Sequence, residues 1–422
     1  MLIQIITYPN FIDTVLNVLL SHSKTNPRYT HEILWILVNV TTVTSTDVHS
    51  HFMKIVSEVV LNCLCDLYKT TDSCYIIDSI FWLLRNISYI NTTFRETILN
   101  HSITDTFIQD INKAAKGGNE NEDEENQCSN VIDLGVQLDI IKTFAFIVND
   151  IDYSKYKRKI KQILNIACQY QYDTNRDIIY WSFFTIANIS ELNCSTQKLI
   201  TSIIKQGVLL KIKRLNFKKF PDLLGSSLKI LGNLLSGNDN LIEEIMKLNI
   251  IDFYDIQLIN VLQLKQLQYV PYILLGLANI SGTRKDKLKL LVLQTTLFQE
   301  GVYKSLLYIS KMHKHMLIVI LNLSFTRSYE VVCIMDKCGV IDEVDELARN
   351  EKDNKEVMKI YLRILFNVNK VMKESKENEG RTILLREKFK EVVRYKSIGM
   401  RFLEEEMEEY VKWLKTIDSQ KE

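Results

Sequence analysis

Apolar residues recur along this chain at steps of three and four, and once in each cycle an asparagine interrupts an otherwise apolar run. Trp35-Ile-Leu-Val-Asn39 returns as Trp82-Leu-Leu-Arg-Asn86, and Asn comes back at 149, 188, 233, 279, 322 and 367. Between His31 and Thr41, Glu32, Trp35 and Asn39 fall on one stripe while Ile33, Leu34, Leu37 and Val40 fill the other faces. That pattern predicts a helix sandwiched between neighbours, apolar nearly all round. Asp78, Trp82 and Asn86 repeat the stripe one cycle later.

The later copies include Trp181-Ser-Phe-Phe-Thr-Ile-Ala-Asn188, Leu228-Lys-Ile-Leu-Gly-Asn233 and Tyr272-Ile-Leu-Leu-Gly-Leu-Ala-Asn279. Between copies the sequence predicts a second apolar helix, entered through turns such as Gln206-Gly207-Val208, Glu300-Gly301-Val302 and Cys338-Gly339-Val340. Glycine suits a sharp helix–helix corner because it accepts a positive φ. A helical unit repeating at roughly 40–47 residues is the mark of an armadillo or HEAT solenoid. The expected fold is therefore all-α, an armadillo-repeat right-handed superhelical solenoid of about eight repeats.

One interval, from Asn86 to Asn149, is too long. Residues 113–130 explain it: Gly117-Gly118 and five carboxylates from Glu120 to Glu125 make a polar stretch with nothing to bury, expected as a disordered acidic loop insertion. The solenoid is assigned to residues 1–372. Residues 373–422 break the period and place Met400, Leu403, Met407, Tyr410, Leu414 and Ile417 on one side of a Glu-rich helix, expected to form a C-terminal helical cap with one wet face.

Composition narrows the partners. The net charge of +1 provides no global field towards nucleic acid or membrane, and only 4 Pro and 13 Gly interrupt the helices. No run is long and apolar enough to span a membrane and no signal-peptide pattern opens the chain, so a monomer of cytoplasm and nucleus is expected. The 8 cysteines show no paired spacing and are expected as buried free thiols.

No catalytic constellation emerges. Only His313 and His315 among the 7 histidines lie close together, without a third ligand motif, and no phosphate-binding glycine loop or nucleophile elbow occurs. The expectation is a non-enzyme with no cofactor and no metal. Two basic runs, Lys155-Tyr-Lys-Arg-Lys-Ile-Lys161 and Lys211-Ile-Lys-Arg-Leu-Asn-Phe-Lys-Lys219, interleave cations with aromatics. The plainer reading is two solvated helix faces, so nucleic acid is not the expected partner.

The Asn ladder is the sharper signal. A lone Asn inside an apolar helix costs about 1–3 kcal/mol unless its amide finds partners. Two readings stand: each amide bonds the adjacent repeat and fixes stacking, or the amides line a groove and hold the main chain of an extended peptide.

The Trp-Asn pairs at Trp35/Asn39 and Trp82/Asn86, Phe94-Arg-Glu-Thr-Ile-Leu99, and Leu228-Lys-Ile-Leu-Gly-Asn-Leu-Leu-Ser-Gly-Asn-Asp239 together resemble the importin α family, the armadillo adaptors of nuclear localisation signals. The resemblance implies that Asn amides clamp the signal's main chain, that Trp pairs form slots for Lys and Arg stems, and that carboxylates meet the charged heads. It makes Lys229 the counterpart of a basic residue the family carries. The peptide-binding residues it implies are Glu32, Trp35, Asn39, Asp78, Trp82, Asn86, Asn149, Phe184, Asn188, Asn233, Asn279, Asn322 and Asn367. The chain departs from the family where Ala145, Leu275, Ile318 and Arg363 replace Trp, and where Ile90 replaces an acidic residue. No Arg/Lys-rich arm precedes the first repeat, so importin β is not an expected partner. The expected function is an importin-α-like adaptor binding an extended basic segment for nuclear import; the alternative is an armadillo scaffold for complex or cytoskeletal assembly.

Overall fold

A computed structural model describes residues 2–23, 25–43, 48–117, 132–192, 197–351 and 354–375. Among them are 24 α-helices, one 3₁₀ turn and no strand. The chain divides into two compact units, Met1–Asn233 and Leu234–Glu422.

In the first unit the helices at the Asn position of the repeat, here the Asn helices, are Pro27–Val40, Cys74–Ile90, Leu134–Ile147 (Asn149 itself follows its end), Arg176–Glu191 and Leu223–Leu234, and the first four pack in succession. Helix Pro27–Val40 shows how the sequence specifies one of them. Asn26 caps it by accepting from the Tyr29 N–H, and Pro27 fits the first turn, whose N–H needs no partner. Ile33, Leu34, Leu37, Val38 and Val40 are buried, each worth about 1.5–3 kcal/mol of burial, while Glu32, Trp35, Ile36 and Asn39 stay exposed. Asp133 and Asn175 cap Leu134–Ile147 and Arg176–Glu191 in the same way.

Between successive Asn helices the structure has two helices rather than the single one expected. Thr92–Asn100 and Ser102–Gly117 precede Leu134–Ile147, and Gln197–Lys205 and Val208–Arg214 precede Leu223–Leu234. The fourth repeat, which has the shortest interval, is the exception. Its two helices merge into Tyr153–Tyr170, with non-helical backbone at Tyr156 marking the join. In the second unit the triplets are Asp239–Met246, Ile250–Gln263 and Val270–Ser281; Asp286–Leu293, the pair Thr296–Gln299 and Val302–Leu307, and Ser310–Ser324; then Tyr329–Lys337, Val340–Asn350 and Lys355–Ser375.

The corners into the second helices use left-handed backbone. Gly207, Gly301 and Gly339 sit at φ 75°, 69° and 76°, as their sequence context predicted. Asn10 and Asn249 take the same conformation at φ 63° and 53°; Asn tolerates this region better than other side chains.

Two expected boundaries move. Helix Ser102–Gly117 includes residues 113–117, which the sequence placed in the acidic insertion; the rest of that insertion lies outside the described residues. Helix Lys355–Ser375 runs past residue 372, and the remainder of the expected cap, 376–422, is also outside them. Among the described residues no helix is long and apolar enough to cross a membrane, no metal-binding cluster occurs, and the six cysteines Cys63, Cys65, Cys74, Cys168, Cys333 and Cys338 are free.

Candidate functional site

Helices Pro27–Val40 and Cys74–Ile90 pack side by side and bring their two stripes together. Trp35 and Trp82 remain 41% and 45% exposed, large for indoles on packed helices. Their rings meet edge to face, with centroids 5.4 Å apart and planes at 80°. An alkyl stem between two parallel rings needs about 7 Å, two carbon contact distances. The Trp slot implied by the resemblance is therefore closed, because two exposed indoles with nothing between them gain by covering one another. Tyr75 and His31 extend the aromatic surface, with ring centroids 5.7 Å apart, and His31 Nδ1 lies 3.4 Å from the Ser79 hydroxyl.

Two carboxylates border the indoles. Glu32 and Asp78 are exposed, and neither has an ion-pair partner among the described residues. Arg85, whose charge acts on Asp78, is itself held at 2.8 Å by Asp139 on helix Leu134–Ile147. Packing around Asp78 removes water and raises its pKa; the charges of Asp139 and Asp133 raise it further, while Arg85 and Lys142 oppose them. A cation beside Trp82 would thus meet a carboxylate that has no ion-pair partner among the described residues and lie against an aromatic face.

The ladder amides have partners of their own. Asn86 Nδ2 donates to Val38 O at 3.1 Å and lies 3.3 Å from Thr41 Oγ1, both in the preceding repeat. Asn188 Nδ2 donates to Ala145 O at 2.9 Å, and Asn233 to Ser190 Oγ at 2.9 Å. In the second unit Asn322 donates to Ala278 O at 2.9 Å and Asn367 to Ser324 Oγ at 3.0 Å. Asn279 is half-buried and also engaged. Asn39 turns onto its own Trp35 carbonyl at 2.8 Å and stays exposed. The bonds of Asn86, Asn188, Asn233, Asn322 and Asn367 stitch their repeats to the ones before them.

Two of the predicted site residues do not join the stripe. Asn149 lies beyond the end of Leu134–Ile147, exposed in a turn, so its repeat contributes no amide to the helix face. Asn188 is only 4% exposed, and its Oδ1 faces Lys229 Nζ at 3.5 Å. Lys229 in turn pairs with Glu191 at 2.6 Å, so its positive charge is already compensated. Phe184 is half-buried in a cluster that sequence reasoning did not assemble: Phe146 lies 5.8 Å from Trp181, which meets Tyr180 at 5.3 Å and Phe184 at 5.5 Å. The register explains the miss. Ala145, set at the Trp position by counting back from Asn149, is buried, and the neighbouring Phe146 is the ring on the accessible side. The Trp181/Phe184 spacing of one helical turn was the available signal. Leu275, at the Trp position of its own repeat, is 41% exposed.

No family model matches the chain, and no curated protein sequence does. Among solved structures, an engineered protein from a structural genomics consortium is similar over 93% of this chain and 93% of its own, at 15% identity and a TM-score of 0.64. A designed armadillo repeat protein is similar over 62% of this chain and 98% of its own, at 14% identity and a TM-score of 0.50. At such identities the likeness concerns the fold.

Proposed function

We infer function from the armadillo-repeat solenoid fold, in which stacked helical units present a long side-chain surface. We propose that this chain is a non-enzymatic adaptor whose first two repeats hold an extended basic segment, of the nuclear-localisation-signal kind, for nuclear protein import between cytoplasm and nucleus. The carrying observation is the unpaired Asp78 carboxylate one helical turn from the exposed Trp82, itself edge-on to Trp35. A Lys or Arg stem gains contact with the indoles, and its charged head gains the carboxylate. Glu32 and the exposed Asn39 provide a second carboxylate and a main-chain partner one repeat earlier. The chain works as a monomer in this reading, since a single stripe suffices.

A scaffold for complex or cytoskeletal assembly is the second reading. It is favoured by the amides of Asn86, Asn188, Asn233, Asn322 and Asn367, which bond the preceding repeat. Calorimetry with a short peptide bearing one Lys/Arg cluster, against a length-matched Glu peptide, separates the two. The adaptor reading expects the basic peptide alone to bind, with a Kd of order 10–100 μM, or about −5.5 to −7 kcal/mol. Binding of neither peptide, or of both equally, transfers the assignment to the scaffold.

A further inference from the structure

The two basic runs that the sequence presents as separate helix faces meet on one face of the first unit. Residues 153–219 hold thirteen Lys and Arg against three carboxylates, in a chain whose net charge is +1. Part of this excess is internally compensated: Lys155 pairs with Glu96 at 2.9 Å, Lys159 with Asp105 at 3.0 Å and Arg176 with Asp222 at 2.6 Å. Glu191, one of the three carboxylates, is taken by Lys229. Among the described residues Lys157, Arg158, Lys161, Lys205, Lys211 and Arg214 have no carboxylate in ion-pair range.

Geometry brings them together. Arg158, Lys161 and Asn165 share one stripe of helix Tyr153–Tyr170, at helical spacings of three and four. Asn165 Oδ1 accepts from Gln206 Nε2 at 2.9 Å, and Gln171 Nε2 donates to Gln206 O at 3.3 Å. The stripe therefore runs into the corner between Gln197–Lys205 and Val208–Arg214. Lys205 precedes that corner and Lys211 follows it, with Lys211 Nζ 5.0 Å from the centroid of Tyr172, a ring 55% exposed.

We propose that this face binds single-stranded nucleic acid through its phosphate backbone, without sequence preference. Ten of the thirteen cations are lysines, compact point charges suited to a diffuse run of phosphates rather than to paired planar carboxylates. Tyr172 offers a ring on which a base stacks, and the amides of Asn165 and Gln206 offer hydrogen bonds to sugars and base edges. A lipid surface fits less well, since Leu210 is the one large apolar side chain exposed on helix Val208–Arg214. The proposal is independent of the Trp82 stripe.

The test is anisotropy of a labelled 20-nucleotide poly(U) RNA titrated with the full chain in 50, 100 and 200 mM KCl. With about four phosphates contacted, affinity should fall about 50-fold across that range, linearly in log–log form. The combined variant Lys157→Gln, Arg158→Gln, Lys161→Gln should weaken binding at least tenfold, and Tyr172→Ala about fivefold or more, with unchanged circular dichroism because all four side chains are at the surface. Trp82→Ala should leave RNA binding unchanged. RNA binding that is undiminished in the triple variant overturns the proposal. So does a poly-Glu peptide of equal charge that binds as tightly as RNA, which assigns the face to acidic proteins, or binding to phosphatidylserine vesicles without binding to RNA, which assigns it to membranes.

Discussion

Trp82 stands edge-on to Trp35, and the two rings close the space that a ligand's alkyl stem would occupy. Binding a Lys or Arg side chain between them must rotate at least one indole, while binding on their outer faces need not. Addition of a basic peptide is therefore expected to shift the tryptophan emission of the protein, and the shift should vanish in Trp35→Phe/Trp82→Phe. A spectrum unchanged at saturating peptide would place the ligand elsewhere.

Asn322 and Asn39 occupy the same repeat position yet serve different ends. Asn322→Ala removes an inter-repeat hydrogen bond to Ala278 O, a carbonyl that the Gly282 N–H and the Ser281 hydroxyl still bond, and should destabilise the second unit by about 0.5–1.5 kcal/mol. Asn39→Ala loses a bond to its own helix at an exposed position and should cost about 0.5 kcal/mol or less. Urea unfolding of the two variants compares them directly; equal losses would remove the distinction between stacking and accessible amides.

Glycine matters at two kinds of place. At Gly339, φ is 76° and a Cβ would meet no severe overlap, so Gly339→Ala should cost about 1 kcal/mol of backbone strain. At Gly276 a Cβ would overlap the ring and hydroxyl of the fully buried Tyr254, so Gly276→Ala should cost about 1–3 kcal/mol or more. Combining Gly276→Ala with Tyr254→Phe should recover little, because the ring itself is in the way. Full recovery by that double variant, measured by thermal unfolding, would show that the hydroxyl alone sets the spacing.

Lys289 is 1% exposed and donates to Asn322 O at 2.8 Å and to Phe325 O, closing the end of helix Ser310–Ser324. Burial lowers its pKa to about 8, with Asp286 and Asp239 acting in the opposite sense. Since the unfolded chain binds this proton more tightly, stability attributable to Lys289 should rise as pH rises from about 8 towards the ordinary lysine value, and stay flat below. The difference in unfolding free energy between the parent and Lys289→Met, followed from pH 7 to 10, isolates it from tyrosine and cysteine titrations. A difference that falls over that window contradicts the assignment.

The solenoid was legible because each unit writes its burial locally: the apolar period of Ile33, Leu34 and Leu37, and the Gly207, Gly301 and Gly339 corners, are read from a few adjacent residues. Asn249 escaped because asparagine reaches the left-handed region without a distinctive neighbour pattern. Much less of the site was legible. That Arg85 turns to Asp139 and leaves Asp78 unpaired, or that Lys229 is neutralised by Glu191, depends on contacts between repeats that no local pattern encodes. Asn149 misled for the opposite reason: the motif was present, but the helix ended two residues too soon.

The most direct test of the peptide reading is the affinity of one fluorescent single-cluster Lys/Arg peptide for the parent, Trp82→Ala, Asp78→Asn and Leu275→Ala proteins, each checked for folding. Trp82 and Leu275 are both about half exposed, so neither truncation should unfold the chain, and stability does not confound the comparison. The account expects Trp82→Ala to lose about 1–3 kcal/mol of binding and Asp78→Asn a smaller but measurable amount, with Leu275→Ala unchanged. Equal affinity in all four proteins would contradict it and leave the Trp-Asn stripe a stacking device.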